Sequence, residues 1–185
     1  MVLAVLLSLL LAAPAAATPP AAAAAKSPAA APAKPAPGFK SFTRRPPVLP
    51  EAEYETLKKR VMERCNVSPG IAPGQAPWYY HYELGLELAK KGDPQRALDA
   101  LIEAVDKKPE PQRNARLYGM WFKDYLPYFE IARVHASLGN WECVDDAVTL
   151  SQKTLEVGSG DKEQRDLLDL RSEAQAHLHP VKKKP

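Results

Sequence analysis

The sequence is poor in the groups that carry chemistry. Four histidines and two cysteines stand in 185 residues, and no glycine-rich phosphate loop, nucleophile elbow or histidine–glutamate zinc motif occurs. Phosphoryl transfer, serine hydrolysis and zinc-dependent hydrolysis therefore have no carrier of the usual kind. His177 and His179 lack further ligands nearby in sequence, which argues against a metal. Cys65 falls on the apolar stripe of a helix, and Cys143 shares a helical flank with Ala147 and Leu150. Both are expected to be buried thiols rather than a bridge, since they belong to opposite ends of the helical order. No catalytic residue, metal site or cofactor is assigned.

Acid is absent from residues 1–50, and charge of either sign from residues 1–17. An apolar run over 2–13, followed by Ala15, Ala16 and Ala17, reads as a secretory signal cleaved before Thr18. The missing Lys or Arg ahead of the run departs from that pattern, and an uncleaved anchor is the alternative. Seventeen helical residues span about 25 Å, short of the roughly 30 Å hydrocarbon core. No cysteine follows directly for lipid attachment, and no later stretch is long and apolar enough to cross a membrane. An exported, periplasmic or extracellular protein is expected.

Residues 18–50 hold nine prolines, many alanines and five bases. That composition cannot bury a core and is expected to be a disordered linker, reaching roughly 100 Å when stretched at about 3.1 Å per residue. With Lys182, Lys183 and Lys184 in a basic tail (180–185), the flanks carry +8, and the 17 bases and 22 acids between them leave −5 on the body. A body of that sign is a poor nucleic-acid binder. The basic flanks suit weak contact with an anionic envelope surface.

What the body does have is helical periodicity. Residues 51–65 open with acids and place Tyr54, Leu57, Val61 and Cys65 on one stripe. A loop with three prolines and two glycines follows over 66–77. In 78–111, His81, Leu84, Gly85 and Leu88 recur at steps of three and four, as do Ala97, Leu101 and Ala104. Between the two sets, Lys91, Gly92, Asp93 and Pro94 supply a basic last turn, a left-handed cap, an N-cap and a first-turn proline. Leu84, Gly85, Gly92, Ala97, Leu101, Ala104 and Pro109 stand at the spacing of the tetratricopeptide repeat, which this 34-residue unit resembles. His81 and Leu88 replace the usual Trp and Tyr.

Residues 125–158 resemble a second, degenerate repeat. Tyr128, Ile131, Ala132 and His135 take the first-helix positions and Gly139 the turn, with Asp124 as N-cap. Val144, Val148 and Ser151 stand in the second helix, and Glu156 replaces the expected proline. A last helix over 162–178, with Leu167, Leu170, Ala174 and Leu178 inward, is expected to cover the end. Between the repeats, 112–124 reads as an insertion with Ala115, Tyr118 and Phe122 on one helical face, weakened by Gly119. Its Leu117, Met120, Trp121 and Phe122 either wedge between the repeats, the favoured reading, or form an exposed patch.

The resemblance implies an all-α domain over 51–179, a short right-handed stack of antiparallel helix pairs. It also implies a concave groove lined by Tyr79, Tyr82, Glu83, Leu86 and Lys90 from the first repeat, and by Leu126, Phe129, Glu130 and Arg133 from the second. That floor suits a protein or peptide partner, unless the insertion or a terminal helix fills it. A non-catalytic interaction module of the bacterial cell envelope is the leading expectation. An accessory subunit of an envelope enzyme, or an enzyme of unrecognised type, is the alternative.

Overall fold

The computed structural model describes residues 45–68 and 70–180. The expected signal, most of the expected linker and the lysines of the basic tail lie outside these residues. Among them six helices run in order, α1 (Glu51–Arg64), α2 (Trp78–Lys90), α3 (Pro94–Lys107), α4 (Pro127–Leu138), α5 (Trp141–Lys153) and α6 (Glu163–Leu178). A two-stranded sheet of β1 (Gln112–Arg116) and β2 (Phe122–Tyr125) interrupts them, so the chain is mostly helical but not all-α.

The α2–α3 turn forms because each residue supplies one missing backbone partner. Gly92 adopts φ +77°, open to glycine without strain. The Asp93 carboxylate then accepts from the Arg96 amide at 3.3 Å, and Pro94 starts α3 where no N–H is needed. Folded back in this way, Leu84, Gly85 and Leu88 meet Ala97, Leu101 and Ala104, all buried. Gly139, at φ +74°, turns α4 into α5, and Tyr128, Ile131, Ala132 and His135 are buried with Val144, Val148 and Ser151. Each helix packs on the next, with α1 on α2 at one side and α6 against α5 and α4 at the other. Leu57, Val61 and Cys65 bury the stripe of α1, and Leu167 and Ala174 that of α6. His177 of α6 stacks flat on Trp141, ring centroids 4.0 Å apart, which pins the last helix near its end.

Residues 45–50 do not behave as the expected linker. The Arg45 amide donates to Gln95 Oε1 at 3.1 Å, and its guanidinium donates to the Leu138 carbonyl at 2.8 Å. The Leu49 amide donates to Asp93 Oδ2 at 3.1 Å, and Arg96 donates to the Leu49 carbonyl at 2.8 Å. This strap binds the start of α3 to the end of α4.

The insertion is a hairpin, not a helix. Ala115 pairs with Lys123 and Arg116 with Phe122, with a bulge between Gln112 and Ala115 where Asn114 adopts φ +50°. Tyr, Trp and Phe favour the pleated strand, and Gly119 at φ +54° provides the reversal, closed by Trp121 N–H donating to the Tyr118 carbonyl at 2.9 Å. Asp124 is consequently not the N-cap of α4. Its carboxylate accepts from the Asn114 amide at 3.0 Å and from Arg113 at 2.8 Å, inside the hairpin.

Gly85 is required by close approach. A Cβ there would lie 2.7 Å from Leu101 Cγ and 3.1 Å from the Ala97 carbonyl. Gly85→Ala is expected to overpack the α2–α3 seam by about 1–3 kcal/mol despite its gain in helix propensity. A urea melt no lower than that of the parent chain would refute this close packing.

Candidate functional site

The groove implied by the repeat resemblance is largely filled. Tyr82, Leu126 and Phe129 are buried and cannot receive a partner. The Tyr82 hydroxyl donates to the Asp124 carbonyl at 3.3 Å and accepts from the Leu126 amide at 3.1 Å, so the foot of the hairpin lies on it. Tyr125 packs its ring 4.8 Å from that of Tyr82 and 4.5 Å from that of Trp78. Its hydroxyl donates to the Lys108 carbonyl at 2.7 Å, and Tyr128 does the same for Pro109. Burial raises the phenol pKa of both Tyr82 and Tyr125, leaving neutral hydrogen-bonding groups and no base.

The other expected groove residues are dispersed. Glu83 is buried in an ion-pair cluster, accepting from Arg64 at 3.0 Å and from Lys123 at 2.5 Å. Tyr79 and Leu86 are half-buried, with Tyr79 packed edge-on to Trp78 and 6.0 Å from the Tyr118 ring. Lys90 is exposed and pairs with Glu87, while Arg133 pairs with Glu130 and lies 5.7 Å over the Phe129 ring. Burial raises the carboxyl of Glu130 above its ordinary value. Tyr79, Tyr82 and Glu83 thus meet the hairpin through Tyr118, Asp124 and Lys123, whereas Arg133 stays beside Phe129.

What the hairpin covers on one side it offers on the other. Met120, Trp121 and Phe122 are 81 %, 62 % and 51 % exposed, correcting the expectation that they wedge into the core. Trp121 stacks on Tyr118, and the Tyr118 hydroxyl donates to the Arg64 carbonyl, bending the tip back over the end of α1. A hollow of about 330 Å³ lies beneath, lined by Leu117, Tyr118, Trp121 and Phe122 with Cys65, Arg64, Glu83 and Lys123. The sequence left an exposed patch as the alternative for these side chains, and the structure places Met120, Trp121 and Phe122 there, on a hairpin rather than a helix.

Chemistry is poorly served here. Burial pushes the Cys65 thiol up to about 11, which favours the protonated thiol at the floor of the hollow. Cys65 and Cys143 are both buried thiols. Burial pushes His135 down to about 4, leaving a neutral ring inside the core. Among the described residues no cluster of His, Cys, Asp and Glu could hold a metal ion, and no helix is long and apolar enough to cross a membrane. A second cavity of about 450 Å³ between α1, α2 and α3 is lined by charges of both signs, including Lys58, Arg96, Asp99 and Glu103. Compared with known proteins, the chain matches no family model, no curated protein and no solved structure.

Glu156 has a structural purpose that sequence did not reveal. Its two oxygens accept from the Tyr128 and Phe129 amides, each at 2.9 Å, and so cap the otherwise uncapped start of α4. Burial pushes its carboxyl up to about 7, although those amides pull the other way. A folded value above the unfolded one means that its stabilisation is full below about pH 4.5 and is lost as pH rises through about 7. His135, lowered, gives the opposite slope between about 4 and 6.5. The difference between the parent chain and Glu156→Gln isolates the carboxyl. We expect the parent to lose roughly 2–3 kcal/mol more than the variant between about pH 5 and 8 in urea melts. Parallel pH profiles would exclude this titration.

Proposed function

We propose that this chain is a non-catalytic recognition module that holds a protein or peptide segment against the tip of its hairpin. The observation that carries this reading is the succession of exposed Met120, Trp121 and Phe122 beside a hollow with an apolar wall. Three large apolar side chains in a row lose free energy to water unless a partner covers them, and such patches mark interaction sites. The helix pairs supply the rigid support, and a short tetratricopeptide-like stack is the architecture that the residues of 78–111 and 125–158 favour. Its concave face is used internally, to seat the hairpin, and recognition moves to the hairpin itself. The apolar run at 2–13 and the Pro- and Ala-rich segment behind it support an exported protein of a bacterial envelope.

Selection of a displayed random-peptide library on the full chain tests the reading. Counter-selection uses the triple variant Met120→Ser, Trp121→Ser, Phe122→Ser, whose altered side chains project to solvent and should leave the helical melt intact. Enriched clones are expected to lose at least about tenfold in affinity for the variant, as for loss of a central aromatic anchor. Clones that bind both forms alike, or no enrichment, would remove the hairpin from recognition.

A further inference from the structure

We propose that the hairpin hollow takes an acidic segment bearing one bulky apolar side chain. The inference rests on the recognition reading above and adds the chemistry of the partner. The size of the hollow, about 330 Å³, suits one large side chain rather than an extended ligand. Its apolar wall is made by Leu117, Tyr118, Trp121 and Phe122, so the entering group is apolar.

Charge decides the rest. Glu83 is shared by Arg64 and Lys123, which leaves cationic charge in surplus at the rim. Arg64 also reaches Glu87, at 3.3 Å, but Glu87 is shared in turn with Lys90. Arg116, outside the lining but paired across the strands with Phe122, adds an exposed guanidinium whose Nε donates to the Gly119 carbonyl at 2.6 Å. Residues 116–123 contain two bases and no acid, on a body whose net charge is −5. A basic rim on an acidic body steers an acidic partner to this place and repels it elsewhere.

Other occupants fit less well. A strand added to either edge of the hairpin would meet Arg113, Arg116, Lys123 and Asp124 and the bulge at Asn114, devices that discourage pairing. A bilayer would have to accept a hollow whose wall includes the Glu83–Lys123 ion pair.

Fluorescence anisotropy with the full chain tests the proposal, using three labelled peptides. The first has a central Phe-Leu between two pairs of Asp and Glu. The second carries Lys in place of every acid, and the third carries Ser-Ser in place of Phe-Leu. The first is expected to bind at least about tenfold tighter than the others, with its advantage over the Lys peptide shrinking as salt is added. Trp121→Ser should abolish binding. Arg116→Glu should erase the preference for acid while retaining the requirement for Phe-Leu, its fold checked by an unchanged melt. Equal affinity for the acidic and Lys peptides would overturn the charge inference and leave hairpin recognition standing. If all three peptides fail, the proposal is overturned. Vesicles of phosphatidylglycerol that blue-shift the parent fluorescence but not that of Trp121→Ser would then assign the tip to lipid. A concentration-dependent dimer broken by Trp121→Ser would assign it to a second copy of the chain.

Discussion

Tyr125 settles the arrangement of three elements at once. Its ring is wholly buried between Trp78 and Tyr82, and its hydroxyl answers the Lys108 carbonyl, an acceptor left over at the end of α3. The returning strand is thereby fixed to α2, the exit of α3 is satisfied and the chain is aimed into α4. That carbonyl is only partly buried, but answering it ties the strand and the helix end together, so they stabilise one another. The closed inner face of α2 follows directly, since a strand held at Tyr125 must pass over Tyr82. The same contact therefore closes that face and fixes the returning strand to α2.

Polar links of long sequence separation complete this frame. Glu156 caps α4 from beyond the end of α5, and Asp93 serves both its own helix and the Leu49 amide. Arg113 reaches from β1 to Asp124, Asp161 and Glu163, and these acids hold its guanidinium firmly in the charged form. Each exposed pair of this kind is worth little alone. Converging on one guanidinium, they fix where the base of the hairpin meets the start of α6, which simple apolar packing would leave free to slide.

Local grammar made the helix pairs legible in the sequence. Gly92, Asp93 and Pro94 each act on backbone groups within a few residues, and the stripes from Leu84 to Ala104 need only the helical period to be read. The hairpin was not legible in the same way. Ala115, Tyr118 and Phe122 fall at spacings that a helix also satisfies, and a strand of four or five residues carries too little alternation to compete. Asp124 looks like a cap until Arg113 and Asn114 are known to stand beside it. The cap that is used, Glu156, lies 28 residues from its partner Tyr128, and no nearest-neighbour rule reaches so far. The burial of the groove positions was not legible for a related reason. Whether Tyr82 and Phe129 face solvent depends on the course of the insertion, which their own helices do not encode. Tyr79, Lys90 and Arg133 keep some exposure because the hairpin leaves their positions at least partly uncovered.

The strap and the hairpin lie at opposite ends of the helix layer, and this has a steric consequence. Arg45 meets the beginning of α3 and the end of α4, whereas the hairpin joins the end of α3 to the beginning of α4. A 14-residue helix at 1.5 Å per residue sets the two about 20 Å apart. The described chain therefore enters at the end of this helix layer opposite the foot of the hairpin. The hydrogen bonds of Arg45 and Leu49 thus hold the strap to the start of α3 and the end of α4, at the far ends of these helices from the foot of the hairpin.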